Sequence, residues 1–580
     1  MSDRRRLLRD FALLFIVLLP YFLLLLGARP LNVPDEGRYP EIAREMLVTG
    51  DFITPKVNGA VFLDKPALYY WLEAGSMSVF GVNPAAIRLP QALFGVAGCL
   101  LVFALTARFF NRRAAWFSAV ALAASPLYFL SSQYANLDLE VAFWISASLA
   151  GFLCGAYAEP SSHWRRGFFI LGYLAGGFGV LTKGLIGIVL PSLAIFTWML
   201  WQRRWRELPR WSLLWLPVAV LVVCLPWYTM VQLRNPQFLH FFFIYQQFQR
   251  FTGGGFNNVF PWWFYPVVLM LGLLPWSMLL PAALRDAWCT RNSDNGVRAF
   301  LLAWPFAIIL FFSLPASKIV SYSLPAVPPL AILVGVALDG WLARGLHLPR
   351  LGRFAGLVLA IFALGIAFFA TRVGLQPRYA AHPHLAGLLY GLAGAFAVGA
   401  ACIWLGAGRK LGHIVLGLAI AGGGLSLLAV PLVPCFDKES IRGTAEALKP
   451  FLTADAVVVT YHNYYQDLPV YLNRPDQIRV VDDWNDPNII KVDNWRREFR
   501  FALNDQPEAS YWLLDEDGFA KLLSGPHPVF VVADANKAPM LAAHYAMQVL
   551  LETSSFVVLT RSTLASESPA PAHDEGPRRD

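Results

Sequence analysis

Ten charged side chains lie in one stretch of an otherwise apolar N-terminal region, between Asn32 and Trp71. They are Asp35, Glu36, Arg38, Glu41, Arg44, Glu45, Asp51, Lys56, Asp64 and Lys65. Carboxylates can transfer protons or orient a polar substrate, and cations can hold a phosphate. Charges at this density are too costly in hydrocarbon, so the stretch is predicted to be an ordered loop at a membrane surface.

The loop also shows an internal helical pattern. Ile42, Met46 and Leu47 are apolar at helical spacing, which predicts a short helix from Pro40 to Val48 that Gly50 ends. Structured loops of this length are usually functional, and this one contains too many aromatic and aliphatic residues for disorder.

The composition indicates a polytopic membrane protein. Of 580 residues, 57% are hydrophobic and only 15% are charged, against about 25% in ordinary soluble proteins. Mean hydropathy is +0.49. The six cysteines show no ligand spacing, so we expect neither a disulfide framework nor a metal site from them. In such a protein the net charge of +9 reports orientation rather than a nucleic-acid partner.

Thirteen apolar segments are long enough to be candidate spanning helices. They cover approximately residues 10–27, 86–107, 114–131, 138–157, 167–182, 184–201, 212–233, 261–282, 298–315, 323–342, 354–372, 385–406 and 412–433. The first has an arginine-rich flank and is interpreted as an uncleaved anchor.

Lys and Arg alternate in abundance between successive connections. One set of connections, with the N-terminus, holds twenty-one of them, and the short connections of the other set hold six. This bias predicts a cytoplasmic N-terminus and, with thirteen crossings, a C-terminal part on the outer side.

The composition changes after Pro434. Residues 436–562 alternate short β-type runs with helical patches, which predicts a small external α/β domain. Residues 563–580 are predicted to be a disordered tail. The predicted division is therefore a transmembrane domain over 1–435, with a structured first external loop at 28–85, then the α/β domain and the tail.

The predicted topology places the unusual polar residues on the outer side, which is periplasmic in a Gram-negative cell. No nucleotide-sugar pool exists there, so an enzyme would need an activated substrate delivered through the bilayer, such as a lipid-linked sugar phosphate. Cations would hold its phosphate, and carboxylates would serve the sugar or a proton transfer. The candidates are Lys65, Arg250, Lys318 and Tyr322 for the phosphate, and Asp35 and Asp138 for the sugar.

Several segments resemble a known family. PDEGRYPEIAREML, GDFITPKVNG and FLDKPALYYW resemble the first periplasmic loop of the GT-C lipid-dependent glycosyltransferases, most closely the aminoarabinose transferases that decorate lipid A. The wider group includes the protein O-mannosyltransferases. The later segments FQRF, LTKG and SKIVSYSLP are similar to that group too.

The resemblance implies an α-helical GT-C membrane protein of the bacterial inner membrane and a set of roles. Asp35 would be the principal catalytic carboxylate and Asp138 the second. Lys65, Arg250 and Tyr322 would hold the lipid phosphate, and Glu36, Lys183 and Lys318 complete the predicted substrate-binding set. The implied partners are an undecaprenyl-phosphate-linked sugar, most simply 4-amino-4-deoxy-L-arabinose, a lipid A acceptor and membrane lipids, with no nucleic acid.

No cofactor is expected, and a divalent metal requirement is left open. Relatives often carry a histidine shortly before the arginine of the FQRF segment, where this chain has Tyr245, Gln246 and Gln247. Asp64 is the only nearby acidic candidate for a metal ligand.

The candidate residues also have simpler structural interpretations. Asp35 and Asp138 could cap helices, and Lys65, Arg250, Lys183 and Lys318 could be ordinary interface cations. The function could also be transfer of another lipid-linked sugar, such as mannose or a hexosamine, transport of a lipid-linked sugar, or a non-enzymatic scaffold. Charges crowded on one face of mostly apolar spans argue against transport.

Overall fold

The computed structural model describes residues 2–204, 215–249, 258–346, 349–373, 376, 379, 382–406, 410–437, 439–489 and 494–561. The chain divides into two compact units. The helical unit comprises Met1–Pro30, Asp51–Pro55 and Leu63–Lys438. The sheet unit comprises Leu31–Gly50, Lys56–Phe62 and Glu439–Asp580.

The helical unit is built from long apolar helices joined by short connections. Its α-helices are Ser2–Leu23, Leu68–Phe80, Pro84–Phe109, Arg112–Ala123, Pro126–Ser132, Asp138–Ala156, His163–Lys183, Ile186–Gln202, Trp215–Arg234, Phe264–Gly272, Leu280–Cys289, Val297–Ser313, Val327–Ala343, Pro349–Val373, Leu385–Leu405 and Leu411–Leu432. A π-helix spans His240–Gln249, and 3-10 helices span Trp276–Met278, Val320–Ala326 and Val433–Cys435.

The predicted spans coincide with these helices or with broken helices. Among the described residues, six helices are long and apolar enough to cross a membrane, and a pair bent by 64° raises the number to seven. The bend lies where Pro126 starts a new helix after Ala123, because proline disfavours a helical conformation in the residue before it. The number of thirteen crossings stays a prediction.

One predicted span is interrupted in the structure. Instead of one helix over 261–282, the chain forms Phe264–Gly272, the short turn Trp276–Met278 and Leu280–Cys289. Pro275 precedes the short turn and Pro281 lies in the first turn of the next helix. Each proline lacks an N–H, so the apolar run cannot continue as a single hydrogen-bonded helix.

The sheet unit has one long helix from the N-terminal region, Asp35–Thr49, which we call the loop helix. The hairpin of β1 (Lys56–Val57) and β2 (Ala60–Val61) follows it. The remaining strands are β3 (Val457–Tyr461), β4 (Arg479–Val481), β5 (Leu513–Leu514), β6 (Val529–Asp534), β7 (Met547–Glu552) and β8 (Phe556–Arg561). Its other α-helices are Arg442–Leu448, Leu468–Leu472, Trp495–Asp505, Glu516–Ser524 and Ala538–Tyr545.

The six strands β3 to β8 form one mixed sheet in the order β5-β4-β3-β6-β8-β7. The strands from β5 to β6 in this order are parallel, and β8 pairs antiparallel with both β6 and β7. Val459, Val531 and Val557 are fully buried in its core. This is the α/β organisation that the sequence predicts.

The loop helix differs from the prediction at its start. It begins at Asp35 rather than Pro40 and ends at Gly50, which has a left-handed φ of 70°. The start moves earlier because Asp35 and Glu36 occupy the first turn, where acidic side chains favour the positive end of the helix dipole. Pro40 is accommodated inside the helix.

The boundary between the two units falls within the first external loop, unlike the predicted domain boundary. The sequence predicts that all of 28–85 belongs to the transmembrane domain. In the structure, Leu31–Gly50 and Lys56–Phe62 belong to the sheet unit. The physical reason is a set of buried hydrogen bonds between this loop and the C-terminal residues, described below.

Candidate active site

An ion pair between Asp138 and Lys183 joins two neighbouring helices of the helical unit. The Lys183 ammonium donates to Asp138 Oδ1, and the two side chains are only 11% and 8% exposed. The Ser321 hydroxyl donates to Asp138 Oδ2, and the Tyr322 ring centroid lies 4.8 Å from Lys183 Nζ. We call Asp138, Lys183, Ser321 and Tyr322 the ion-pair cluster.

Local sequence places both charges at favourable helix ends. Asp138 is the first residue of its helix, and its backbone N–H donates to Asn136 Oδ1 at 2.8 Å. Lys183 is the last residue of the next helix along the chain, His163–Lys183, which Gly184 ends with a φ of 87°. An acid at a helix N-terminus and a cation at a C-terminus are both stabilised by the helix dipoles.

A second polar contact runs beside the ion pair. The Thr182 hydroxyl donates to Glu140 Oε1 at 2.8 Å, and the Trp144 indole donates to the same oxygen at 3.3 Å. Glu140 is fully buried, and its other oxygen, Oε2, has no hydrogen-bond partner among the described residues. Glu140 and Thr182 are not among the predicted site residues, although each lies close in sequence to one of them.

Lys318 is bound entirely to main chain in the described structure. Its ammonium donates to the carbonyls of Phe260 at 2.9 Å, Pro315 at 2.5 Å and Ala316 at 3.4 Å, and the residue is 3% exposed. Three charge-assisted hydrogen bonds to carbonyls satisfy the donors of an ammonium group. In this conformation Lys318 fixes two chain segments together.

Lys65 and Asp64 precede the helix Leu68–Phe80. Lys65 is partly exposed, and its ammonium donates to the Asp64 carbonyl at 3.2 Å. Within the described part of the chain, no three His, Cys, Asp or Glu side chains are close enough together to hold a metal ion. A metal role for Asp64 therefore has no supporting cluster there.

Asp35 and Glu36 open the loop helix in the sheet unit. Asp35 is partly exposed, whereas Glu36 is fully buried and accepts a hydrogen bond from the Asn32 N–H at 2.9 Å. The residue at the capping position is Pro34, whose side chain makes no capping hydrogen bond. Glu36 thus holds the start of the helix, and Asp35 presents its carboxylate in the first turn.

The loop helix packs closely against C-terminal residues of the same unit. A Cβ added to Gly37 would lie 2.7 Å from the Asp467 nitrogen, so only glycine permits this approach. Further along the helix, the Arg44 guanidinium donates to the Arg474 carbonyl at 2.6 Å. Arg38 forms an ion pair with Glu498 at 3.4 Å.

The hairpin after the loop helix is fixed in the same way. The Asn58 amide donates to the Ile478 carbonyl at 2.9 Å, and Asn58 Oδ1 accepts from the Ile478 N–H at 2.8 Å. Gln506 Nε2 donates to the Gly59 carbonyl at 3.3 Å. Gly59 has a φ of 84°, and an added Cβ would lie 3.0 Å from the Trp512 ring.

A buried charge cluster lies on the inner face of the loop helix. Arg44 makes a bidentate contact with Glu41, with both distances 2.7 Å. Glu45 accepts from the Gly59 N–H at 2.7 Å, which ties the helix to the hairpin. Burial raises the pKa of Glu45 to about 8, and the neighbouring Glu41 carboxylate adds to the shift.

A second buried carboxyl lies under the start of the loop helix. Asp467 is 4% exposed and close to Glu36. Burial, together with a smaller effect of the Glu36 carboxylate, raises the pKa of Asp467 to about 7. The predicted substrate-binding residue Glu36 is thus part of the packing beneath Asp35.

The structure brings only some of the predicted residues together. The structure brings Asp138, Lys183 and Tyr322 together, whereas Asp35 and Glu36 lie in the sheet unit. Arg250 lies outside the described residues.

Comparison with known proteins links both units to one family. Residues 8–242 match the sequence model of the dolichyl-phosphate-mannose-protein mannosyltransferases. An undecaprenyl phosphate-alpha-4-amino-4-deoxy-L-arabinose arabinosyl transferase of Pseudomonas aeruginosa strain UCBPP-PA14 is 36% identical over 399 residues, which are 68% of this chain and 71% of that protein. The transferase of the same name from Shewanella sediminis is 30% identical over 79% of this chain and 84% of its own length.

The chain belongs to the family of undecaprenyl phosphate-4-amino-4-deoxy-L-arabinose arabinosyl transferases.

Solved structures agree with this membership. The crystal structure of ArnT from Cupriavidus metallidurans bound to undecaprenyl phosphate has a TM-score of 0.79 and 27% identity, covering 96% of this chain and 99% of that one. The apo Archaeoglobus fulgidus oligosaccharyltransferase, at 14% identity and a TM-score of 0.51, shares the fold. The chain is therefore a multi-pass membrane glycosyltransferase of GT-C type, as its sequence predicts.

In this glycosyltransferase, the ion-pair cluster and the start of the loop helix are two places where predicted site residues lie together. The ion-pair cluster offers an ammonium fixed between a carboxylate and an aromatic ring. The loop helix offers a partly exposed carboxylate on a rigidly packed helix.

Proposed function

We propose that this chain transfers 4-amino-4-deoxy-L-arabinose from undecaprenyl phosphate to a phosphate of lipid A, on the periplasmic side of the bacterial inner membrane. The observation that carries the proposal is the extent of the similarity. Transferases named for this donor match 68% and 79% of the chain, and an ArnT structure bound to undecaprenyl phosphate matches 96% of it. The N-terminus would be cytoplasmic and the sheet unit periplasmic.

Asp35 is the proposed principal catalytic carboxylate. A lipid A phosphate is already an anion at neutral pH, so it needs no strong general base. Asp35 then orients the sugar, pairs with its 4-amino group or stabilises the positive charge that develops as the lipid phosphate leaves. With a hydroxyl acceptor, Asp35 would instead have to remove a proton.

The proposed donor-phosphate site uses Lys65, Arg250, Tyr322 and Lys183. Asp138 acts through Lys183, because their ion pair fixes the ammonium above the Tyr322 ring. A preorganised cation stabilises the departing phosphate without reorganisation during the reaction. Lys318, which is bound to three carbonyls, supports the segment before Tyr322 rather than the phosphate itself.

Attack on the sugar from the side opposite the departing lipid phosphate inverts the configuration at the anomeric carbon. An NMR assignment of the product anomer tests this step, and retention of configuration would contradict it.

The proposed product carries an added cationic amine in place of exposed phosphate charge. Reduced negative charge at the cell surface weakens the attraction of cationic peptides. Expression of the chain should therefore increase resistance to polymyxin.

Transfer of a different lipid-linked sugar is the second candidate, favoured by the match of residues 8–242 to the mannosyltransferase family. The purified protein should be given undecaprenyl phosphate carrying aminoarabinose or mannose, with lipid A or dephosphorylated lipid A as acceptor. We expect product only from aminoarabinose and phosphorylated lipid A. Product from mannose, or equal transfer to both acceptors, would contradict the proposed donor or acceptor.

A further inference from the structure

A small cavity in the sheet unit lies at the amino ends of β3 and β4, and the proposed transfer reaction does not use it. Its volume is about 210 Å³. Polar side chains line much of it: Asp455, Arg474, Asp476, Gln477, Arg479, Tyr511 and His527. Cations, carboxylates and neutral donors thus face one space of limited size.

Arg479 is the most unusual of these side chains because it is a buried cation. The residue is 8% exposed, and one of its nitrogens, Nη1, donates to the Tyr511 carbonyl at 2.7 Å. Its guanidinium lies 3.4 Å from the centroid of the Tyr511 ring. No Asp or Glu oxygen of the described residues lies within 4.0 Å of it. The Asp476 carboxylate attracts the Arg479 guanidinium from beyond ion-pair distance, so the charge of this buried cation is only partly compensated. A partly compensated buried charge favours a further anion beside it.

The other charges of the cavity are already compensated. Arg474 donates to the Thr453 and Ala456 carbonyls, at 2.8 and 3.1 Å, and pairs with Asp476 at 3.4 Å. Hydrogen bonding to Thr453 lowers the pKa of Asp455, which therefore remains a carboxylate at neutral pH. These carboxylates can accept hydrogen bonds from sugar hydroxyls, while Arg479 remains for an anionic group.

We infer that this cavity binds a phosphorylated sugar, with the phosphate on Arg479 and the hydroxyls towards Asp455 and Asp476. A guanidinium matches phosphate oxygens in a bidentate geometry, and Gln477 and His527 can supply further hydrogen bonds. A carboxylate or phosphate ion without hydroxyl groups would contact Arg479 but would donate no hydrogen bond to Asp455 or Asp476.

The walls of the cavity also hold the first external loop. The Arg474 carbonyl accepts from Arg44, and the Ile478 backbone pairs with Asn58. A ligand that orders residues 474–479 therefore stabilises the attachment of the loop helix. Occupancy of the cavity is thus linked to the helix that carries Asp35.

Two sources could supply this chemistry, a glycolipid headgroup and a soluble sugar phosphate. The full-length protein in detergent should be titrated with glucosamine 1-phosphate, glucosamine and inorganic phosphate, with calorimetric detection. A parallel arm uses nanodiscs that contain phosphorylated or dephosphorylated lipid A. Saturable binding of glucosamine 1-phosphate supports a soluble ligand. Because lipid A is also the proposed acceptor, binding in the nanodisc arm supports a lipid headgroup in this cavity only where it depends on the phosphate and is weakened by Arg479→Gln.

The matched variants are Arg479→Gln and Arg442→Gln. Arg442 is an arginine of the same unit that pairs with Glu446. We expect Arg479→Gln to raise the dissociation constant about tenfold or more, and Arg442→Gln to leave it unchanged. Equal binding by both variants, or no phosphate-dependent binding in either arm, would overturn the assignment.

Hydrogen exchange of the wild-type protein keeps the test independent of variant folding. Ligand should slow exchange in residues 474–479 and around Tyr511. Binding that leaves exchange there unchanged would place the ligand elsewhere and overturn the inference.

Discussion

Asn58 and Ile478 exchange two hydrogen bonds across 420 residues of sequence, at 2.9 and 2.8 Å. Both residues are buried. This reciprocal pair fastens the first external loop to the C-terminal α/β fold. The proposed catalytic carboxylate Asp35 therefore belongs to a helix whose position depends on C-terminal residues.

Replacing Asn58 with glycine should loosen this attachment. Glycine adopts the φ of 49° at this position without strain, so the substitution removes only the side chain. It leaves the Ile478 N–H and carbonyl without partners, at a cost of about 2 kcal/mol. We expect hydrogen exchange in residues 31–50 and 56–62 to accelerate by roughly 30-fold. The exposed Asn485→Ala is the control, and unchanged exchange in Asn58→Gly would contradict the role.

The ion pair between Asp138 and Lys183 should behave as a unit. Removing either partner leaves the other charge largely buried and displaces the ammonium from the Tyr322 ring. We expect Asp138→Asn and Lys183→Met each to lower the rate of transfer by about a hundredfold. The double variant should be no worse than the weaker single variant, with a coupling energy of about 1–3 kcal/mol. Additive losses in the transfer assay would show that the two residues act separately.

Replacing Lys318 should affect the stability of the protein, whereas replacing Lys65 should affect binding of the donor lipid. Lys318→Met leaves three carbonyls without their donor, so it should lower stability by about 2 kcal/mol. Lys65→Met should instead raise KM for the donor lipid with little change in the unfolding temperature. Thermal unfolding and donor titration on both variants separate the roles. The assignment fails if Lys318→Met keeps full stability while its KM rises.

The buried Glu45 gives stability a defined pH dependence. Its pKa is raised by burial and by Glu41 to about 8, above the ordinary value of 4.5, so the folded protein binds a proton that the unfolded chain releases. Stability contributed by this proton is fully present below pH 4.5 and is lost as the pH rises to about 8. Glu45→Gln keeps an acceptor for the Gly59 N–H and should flatten this decline. Unfolding temperatures from pH 5 to 9 check it; parallel curves for the two proteins would contradict it.

Hydropathy predicts the helices of the helical unit well where polar residues bound the apolar run. The span predicted at 138–157 is the helix Asp138–Ala156, because a charged residue marks its start. The run at 261–282 is apolar throughout, so composition alone cannot show that Pro275 and Pro281 divide it. The sequence predicts a start for the loop helix at Pro40, which is too late, because Pro40 resembles an initiating proline.

The sequence predicts only some of the residues and contacts of the candidate site. Charges at the ends of apolar runs identify Asp138 and Lys183 without any structure. Ser321 contacts Asp138 from 183 positions away, and Thr182 contacts Glu140 from 42 positions away, so local patterns contain no signal for either pairing. The attachment of the first loop to the C-terminal residues is likewise a tertiary contact, which shows why the predicted division placed that loop in the transmembrane domain.

The most direct test of the proposed function is mass spectrometry of lipid A from a host that lacks its own transferase but makes the donor lipid. The host should express this chain or its Asp35→Asn variant at matched levels. We predict that the wild-type chain adds an aminopentose to lipid A and that the variant does not. Unmodified lipid A with the wild-type chain, while the donor lipid is present, would contradict the proposed acceptor; modification by both would contradict the role of Asp35.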